Sequence, residues 1–201
     1  MIKVDLISRS IHLMGSTITI SILHEKADSL LDQVFSLLRL YEKRFSANDD
    51  SSELMQINHA AGKHPVCVHP DLFELIELGK KHSLAPDSHL NITLGPLIQT
   101  WRIGFADAKV PSPEEIKQAL TLTDPECIEL DAAASSVFLT MEGMKIDLGA
   151  LAKGYIADKI AAFLRGQGVT SALINLGGNI LTIGLNEKNN RYWRIGIQNP
   201  S

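Results

Sequence analysis

Thr17-Ile18-Thr19-Ile20-Ser21-Ile22 alternates without a fault, a hydroxyl side chain at every odd position and an isoleucine at every even one. Successive side chains of a strand point to opposite faces, so this run is a half-buried strand with three isoleucines on one face. Such a face must be covered. Five residues on, the period changes: Ala27, Leu30, Leu31, Val34, Phe35, Leu38 and Tyr41 recur at intervals of three and four, with Asp28, Asp32, Arg39 and Lys43 opposite. That spacing predicts a long amphipathic helix lying on the sheet. Lys3–Ile11 is the expected partner strand.

Beyond this opening the chain reads as a mixture. Ser46–Ser52 is polar and turn-like, Ser52-Glu53 begins a short helix to about Ala60, and Gly62 ends it. His64–Pro70 resembles a strand between turns. Pro70 starts a helix over Asp71–Ser83, packed through Leu72, Phe73, Leu75, Ile76 and Leu78. Leu84–Ala108 has no clean period, and a long apolar stretch of that kind is usually functional. Pro113-Glu114-Glu115 reads as the acidic first turn of a further short helix. Strands are expected at Cys127–Leu130, Ser136–Thr140 and Lys145–Asp147, with turns at Ala132 and Gly143. A helix follows over Ala150–Arg165, its buried stripe being Leu151, Tyr155, Ile156, Ile160, Phe163 and Leu164. Strands at Ala172–Asn175, Asn179–Leu185 and Tyr192–Gln198 close the chain. There is no internal repeat and no linker. The irregular order predicts an α+β fold, a mostly antiparallel sheet with packed helices, in a single domain.

Composition narrows the function classes. The 201 residues carry 19 Lys+Arg against 23 Asp+Glu and are 45% hydrophobic, enough apolar surface to offset chain entropy. No basic run exists, so there is no electrostatic footprint for nucleic acid. No apolar run reaches the roughly 18 residues of a membrane span, so no transmembrane segment is expected. Lys3 and Asp5 stand where a signal peptide would be apolar. Cys67 and Cys127 lie far apart with no zinc-ligand spacing, and are expected to be two buried, reduced thiols, the alternative being one disulfide. The seven histidines are scattered and receive no role.

Four stretches could carry chemistry. In Ile146-Asp147-Leu148-Gly149-Ala150-Leu151-Ala152-Lys153-Gly154-Tyr155 a strand gives way to a helix, whose free N–H groups and positive dipole suit a phosphate. Lys153 could add a point charge to the same anion; the plainer reading is Asp147 as an N-cap and Lys153 as a solvated side chain. Asn175-Leu176-Gly177-Gly178-Asn179 lets another backbone or a flat ligand approach closely, or is a simple Gly-Gly hairpin. In Asn91-Ile92-Thr93-Leu94-Gly95-Pro96-Leu97, Asn91 and Thr93 point the same way if the chain is extended, and Gly95-Pro96 forces a turn. Trp101 is either a core aromatic or a stacking surface. Met14-Gly15-Ser16 opens the alternating strand and either leaves room for a ligand or forms a bulge.

Taken in order, together with Phe45-Ser46, Ser52-Glu53-Leu54 and Asn58, these stretches resemble the ApbE-type FAD:protein FMN transferase family over nearly the whole chain. The D-L-G-x-x-A-K-G-Y-x-x-D run ending at Asp158 and the N-L-G-G-N run are the most specific parts. The resemblance implies an Mg²⁺-dependent transfer of FMN from FAD to a Thr or Ser hydroxyl of a target flavoprotein, with release of AMP. It implies that Met14, Ser46, Asn91, Ile92, Thr93, Trp101, Asp147 and Lys153 bind the flavin nucleotide, and that the main-chain carbonyl of Ala150 ligates the metal. Two departures stand out: the family usually has Asp where Asn91 stands and often Tyr where Asn48 falls. The family also continues into a T-S-G-x-Y-like turn, an H-I-x-D-P-x-T-G-like run and a helix supplying metal-binding Asp and Thr. The 201 residues are therefore expected to be the N-terminal two-thirds of the catalytic unit, with no general base among them. Two other activities fit the same residues, hydrolysis of FAD to FMN and AMP, or flavin binding without catalysis. The expected location is the cytoplasm, or outside it as an anchored lipoprotein whose leader has been removed.

Overall fold

The computed structural model describes residues 5–186, 189–197 and 199. The chain forms β1 (Leu6–Leu13), β2 (Ser16–Leu23), α1 (Ala27–Phe45), α2 (Glu53–His59), β3 (Val66–Cys67), α3 (Pro70–Ser83), α4 (Gly95–Trp101), α5 (Pro113–Leu120), β4 (Ile128–Asp131), β5 (Ser136–Leu139), α6 (Ala152–Gly166), β6 (Ala172–Leu176) and β7 (Asn179–Ile183). A four-stranded sheet runs in the order β1-β2-β6-β7 and a three-stranded sheet in the order β3-β5-β4. Every pairing is antiparallel. The expected α+β fold with a mostly antiparallel sheet is what the chain adopts. It divides into two compact units, residues 1–41 with 153–201, and residues 42–152.

In the first unit, the isoleucine face of β2 is the core: Ile18, Ile20 and Ile22 are all 0% exposed. Burying one such side chain contributes about 1.5–3 kcal/mol. Ile174 and Leu176 of β6, Leu31, Val34 and Leu38 of α1, and Ile156, Ile160 and Leu164 of α6 are buried as well. The opposite face of β2 is held by hydroxyl pairs across to β1, Ser8 with Ser21 at 2.7 Å and Ser10 with Thr19 at 2.8 Å. Arg9 of β1 reaches α1, pairing with Asp32 at 2.8 Å and lying over the Phe35 ring. Lys3 of the expected first strand lies outside the described residues, and the strand runs two residues past Ile11.

The second unit has its own apolar core, with Leu54, Leu75, Ile92, Val137 and Ile146 at 0–1% exposure, and polar ties between its short elements. Arg44 sits between Glu53 at 3.6 Å and Asp71 at 3.4 Å, and so joins the last turn of α1 to the starts of α2 and α3. Leu72, Phe73, Leu75 and Ile76 of α3 are buried as their spacing predicted, whereas Leu78 is exposed. The aperiodic stretch contains a helix after all: Gly95-Pro96 opens α4 rather than only turning the chain. A Cβ on Gly95 would lie 2.6 Å from the Lys145 carbonyl oxygen, so only glycine lets the start of α4 rest on that segment.

Several expectations change. Lys145–Asp147 shows the alternating burial of an extended segment but belongs to neither sheet. Tyr192–Ile197 forms no strand, and Gln198 lies outside the described residues. The helix expected from Ala150 begins at Ala152; its buried side chains are Ile156, Ala157, Ile160, Ala161 and Leu164, with Tyr155 and Phe163 only partly covered. Both cysteines are free as expected, but Cys67 is exposed and Cys127 half-buried, because each sits at a margin of the three-stranded sheet. Among the described residues no helix is long and apolar enough to cross a membrane.

Candidate functional site

The residues singled out from the sequence fall into both units, Met14 and Lys153 in the first and Ser46, Asn91, Ile92, Thr93, Trp101, Asp147 and Ala150 in the second.

In the first unit two hairpins turn at the same end of the sheet. Met14 and Gly15, at φ +53° and +66°, connect β1 to β2. Gly177 and Gly178, at φ +62° and +96°, connect β6 to β7. Two-residue hairpins favour such left-handed pairs because their twist matches that of the strands. For Met14 the conformation costs about 1–2 kcal/mol, since a side chain there crowds the following carbonyl. Antiparallel pairing of Ile18 with Leu176 brings the start of β2 beside the end of β6. As a result Gly177 is pressed on Ser16: a Cβ at Gly177 would lie 2.5 Å from Ser16 Oγ and 2.7 Å from Ser16 Cβ. Lys153 Cε is 3.4 Å from the same point, and Asn179 Nδ2 is 3.4 Å from where Gly154 would carry a Cβ. The first turn of α6 thus lies over the β6–β7 turn. Asn175 closes that turn by accepting from the Gly178 amide at 2.8 Å. Lys153 enters no ion pair among the described residues. A cationic side chain set beside two glycine turns is suited to an anionic ligand with a flat or extended body.

In the second unit Asn91, Ile92, Thr93 and Asp147 are neighbours. The Asp147 amide donates to the Ile92 carbonyl at 2.9 Å. Asn91 and Thr93 do not share a face of an extended segment: Asn91 Oδ1 accepts from the Thr93 amide at 2.8 Å and from its hydroxyl at 2.6 Å. Asn91 Nδ2 donates to the Thr123 carbonyl at 2.8 Å. Asparagine readily folds the backbone back on itself in this way, in competition with extended structure. Ile92 and Thr93 are 1% and 0% exposed, so of the three Asn91 alone reaches solvent. Ser83 Oγ of α3 accepts from the Ile92 amide at 3.1 Å and fixes the loop from below.

Asp147 does not cap a helix. Its Oδ1 accepts from the Gly149 amide at 2.8 Å and tightens the loop that leads to α6, with Ala150 exposed at its tip. Ser46 accepts at its carbonyl from the Ser52 hydroxyl at 2.6 Å, and Ser52 Oγ accepts from the Met55 amide at the start of α2. Trp101 ends α4, is partly exposed, and accepts at its carbonyl from Lys109. No hydrogen bond among the described residues connects it to the Asn91–Asp147 group.

A groove of about 570 Å³ between α4 and α5 is lined by none of the candidates, although Thr100 and Arg102 on either side of Trp101 lie in its wall. Its cations are already engaged, Lys109 with Glu115 at 2.6 Å, Arg102 with Asp107 at 2.7 Å and Lys145 with Gln99. The Arg102 guanidinium bonded to Asp107 lowers that carboxyl below its usual range. For a metal, the described residues offer no group of three or more His, Cys, Asp or Glu side chains. Ala150 can give one carbonyl oxygen, whereas Mg²⁺ seeks about six oxygen donors. The described residues therefore do not by themselves assemble a magnesium site.

Sequence reasoning allowed a close approach at Gly177 without naming Ser16 as the neighbour, and it missed the part played by Asn58. Only the register of β2 against β6 reveals that neighbour, and Asn58 bonds a residue 88 positions away.

This arrangement of sheets and turns is the fold of flavin transferases. It superposes over 98% of the chain on the flavin transferase ApbE from Vibrio cholerae, with a TM-score of 0.89, 24% identity and 65% of that chain covered. The ApbE protein from Thermotoga maritima gives a TM-score of 0.88 at 25% identity, over 98% of this chain and 64% of the other. The chain belongs to the ApbE family, whose sequence pattern matches residues 14–201. An FAD:protein FMN transferase of Klebsiella pneumoniae (strain 342) is 45% identical over 193 residues, 96% of this chain and 58% of that protein. One of Treponema pallidum (strain Nichols) is 39% identical over 182 residues, 85% of this chain and 50% of the relative. The chain thus spans 58% and 50% of the length of these two relatives.

Proposed function

We propose that this chain is the N-terminal, FAD-binding part of an FAD:protein FMN transferase domain. The observation that carries the reading is the meeting of two runs chosen separately in the sequence. Lys153 of the A-K-G-Y run and Ser16 at the start of β2 both lie beside Gly177 of the L-G-G turn. Lys153 is the proposed contact for the FAD diphosphate, with Met14 and the glycine turns forming part of the flavin pocket. Asn91, Ile92, Thr93, Trp101, Ser46 and Asp147 are proposed as further residues that bind the flavin nucleotide, and Ala150 as a carbonyl donor to Mg²⁺.

In the proposed reaction a Thr or Ser hydroxyl oxygen of a target flavoprotein attacks the FMN-side phosphorus of FAD. The bond from that phosphorus to the bridging oxygen breaks, AMP leaves with the bridging oxygen, and the hydroxyl proton passes to solvent or to a base outside the residues named here. Lys153 neutralises part of the diphosphate charge and holds it in place.

The test uses the protein from its complete reading frame, incubated with FAD, Mg²⁺ and flavoprotein domains that carry a known acceptor hydroxyl. Covalent flavin on the acceptor after denaturation, in step with AMP release, is the expected result. AMP released without acceptor would replace transfer by hydrolysis, and FAD binding without AMP would reduce the activity to binding. Lys153→Ala is expected to weaken FAD binding about tenfold or more, in line with the ~1.5–3 kcal/mol of a hydrogen bond to a charged group. Lys159→Ala, which removes an ammonium lying over the Tyr155 ring at 4.8 Å, should change it much less. Equal effects in a fluorescence titration would remove Lys153 from the phosphate contact.

A further inference from the structure

Asn58 is 6% exposed and carries no charge, yet every polar atom of its carboxamide is engaged. Its Oδ1 accepts from the Ile146 amide at 2.8 Å, and its Nδ2 donates to the Ile146 carbonyl at 3.1 Å. The second N–H is directed at Met55 Sδ, 3.6 Å away. Because the Ile146 amide must donate and its carbonyl must accept, the two partners fix which way the carboxamide faces. A side-chain amide here reproduces the two-bond pairing that a neighbouring strand would give. This explains why Lys145–Asp147 keeps its alternating burial without belonging to a sheet.

The other edge of the same segment is bound as well. Asp147 donates its amide to the Ile92 carbonyl, so Ile146 is held from α2 and Asp147 from the Asn91–Thr93 loop. Met144, Ile146 and Leu148 are buried at 0%, 0% and 1%. Alternation then leaves Asp147 no freedom: a slip of one residue would bury its carboxylate and expose Leu148. On the α2 side the anchor is itself anchored. Ser52 is 0% exposed, caps α2, and donates to the Ser46 carbonyl. A continuous hydrogen-bonded path runs Ser46, Ser52, α2, Asn58, Ile146, Asp147, Gly149.

We propose that Asn58 is a positioning residue: its carboxamide sets the register of the 145–150 segment and thereby the place of the Asp147 carboxylate and the Ala150 carbonyl. The consequence for FAD rests on the flavin reading above; the consequence for the loop does not. Neither bond involves solvent, so loss of one leaves a buried backbone group unpaired. Asn58→Asp keeps the acceptor for the Ile146 amide but replaces the donor to its carbonyl by an anionic oxygen. Asn58→Ala removes both bonds and serves if the first variant does not fold. Ile76→Val, in the core of α3, is a control for general loss of stability.

The experiment measures amide exchange of residues 144–149 together with FAD titration of the complete protein. The amplitude of the titration reports the folded fraction, and the midpoint reports the affinity of what is folded. A merely structural role would lower the amplitude and leave the midpoint in place. The expected result is at least tenfold faster exchange at Ile146 and Asp147, and a dissociation constant and KM for FAD raised about tenfold. Ile76→Val should move neither midpoint nor local exchange. Unchanged exchange at 144–149 in a folded Asn58 variant overturns the clamp. Faster exchange with FAD affinity altered less than twofold overturns its role at the site. If the wild-type protein binds no FAD, the flavin reading falls, and the exchange measurement alone decides for or against the register role.

Discussion

Gly177 and Asn91 are the single residues whose chemistry the structure makes most specific. A side chain at Gly177 meets Ser16 and must also hold φ +62°. Gly178, at φ +96°, has open space around it. Gly177→Ala is therefore expected to cost more than Gly178→Ala, which bears only the backbone strain of about 1 kcal/mol. Urea denaturation of both variants checks this, and equal midpoints would show that Ser16 gives way. Asn91 differs from the aspartate that the family resemblance leads one to expect, and the difference bears on Thr123. The Asn91 amide donates to the Thr123 carbonyl, which a carboxylate cannot do. Asn91→Asp should lower stability by about 1–3 kcal/mol, the cost of a partly buried acceptor left unpaired. An unchanged or raised melting temperature would remove that explanation.

Among the elements, α5 carries a testable device. Ser112 and Glu115 cap each other, the Ser112 amide donating to Glu115 at 2.8 Å and the Glu115 amide to Ser112 Oγ at 3.2 Å. Lys109 first, and then Ser112, lower the Glu115 carboxyl from 4.5 to about 2. A folded value below the unfolded one adds stability that is complete above about pH 4.5 and is lost as the pH falls toward 2. Glu115→Gln is expected to flatten that acid limb in thermal melts between pH 5 and 2, and an unaltered slope would contradict the assignment. The same element shows what a sequence can disclose. The acidic first turn Pro113-Glu114-Glu115 is a local signal, as are the periods of β2, α1 and α3, and all four elements form where those signals put them, whereas the Ser112–Glu115 capping box emerges only in the structure. α4 escaped because Gly95-Pro96 reads as punctuation, although glycine is required there by the Lys145 carbonyl and proline suits a first turn. The alternation of Lys145–Asp147 was legible but its lack of a strand partner was not, since its partner is a carboxamide far along the chain. The candidate site shows the same division. Motif spacing picked out Lys153 and the glycine turn, whereas their contact depends on strand register, and the internal bonding of Asn91 and Thr93 depends on a fold that no local pattern states.

At the scale of the whole molecule, chain continuity separates the two units. Residues 42–152 are one uninterrupted stretch, and the other unit is assembled from residues before and after it. β2 finds half of its pairing in β6, from Ile18 with Leu176 to Ile22 with Ala172. A fragment of residues 42–152 is expected to unfold cooperatively by circular dichroism, because its ties, Arg44 to Glu53 and Asp71 and Asn58 to Ile146, lie within it. A fragment of residues 5–41 should give no cooperative transition, because Ile18, Ile20 and Ile22 would lose the strand beside them. A sloping, non-cooperative melt for 42–152 would show that it depends on the remainder of the chain.

The two free thiols give the three-stranded sheet a built-in clock. Cys67 is exposed on β3 and Cys127 is half-buried just before β4, and β3 and β4 flank β5 from opposite sides. A thiol reagent reaches the first directly and the second more slowly, as local opening uncovers it. The ratio of the two labelling rates would then time that opening in the unmodified protein, with no engineered probe, and a ligand that steadies the second unit would be read as a slowing of Cys127 alone.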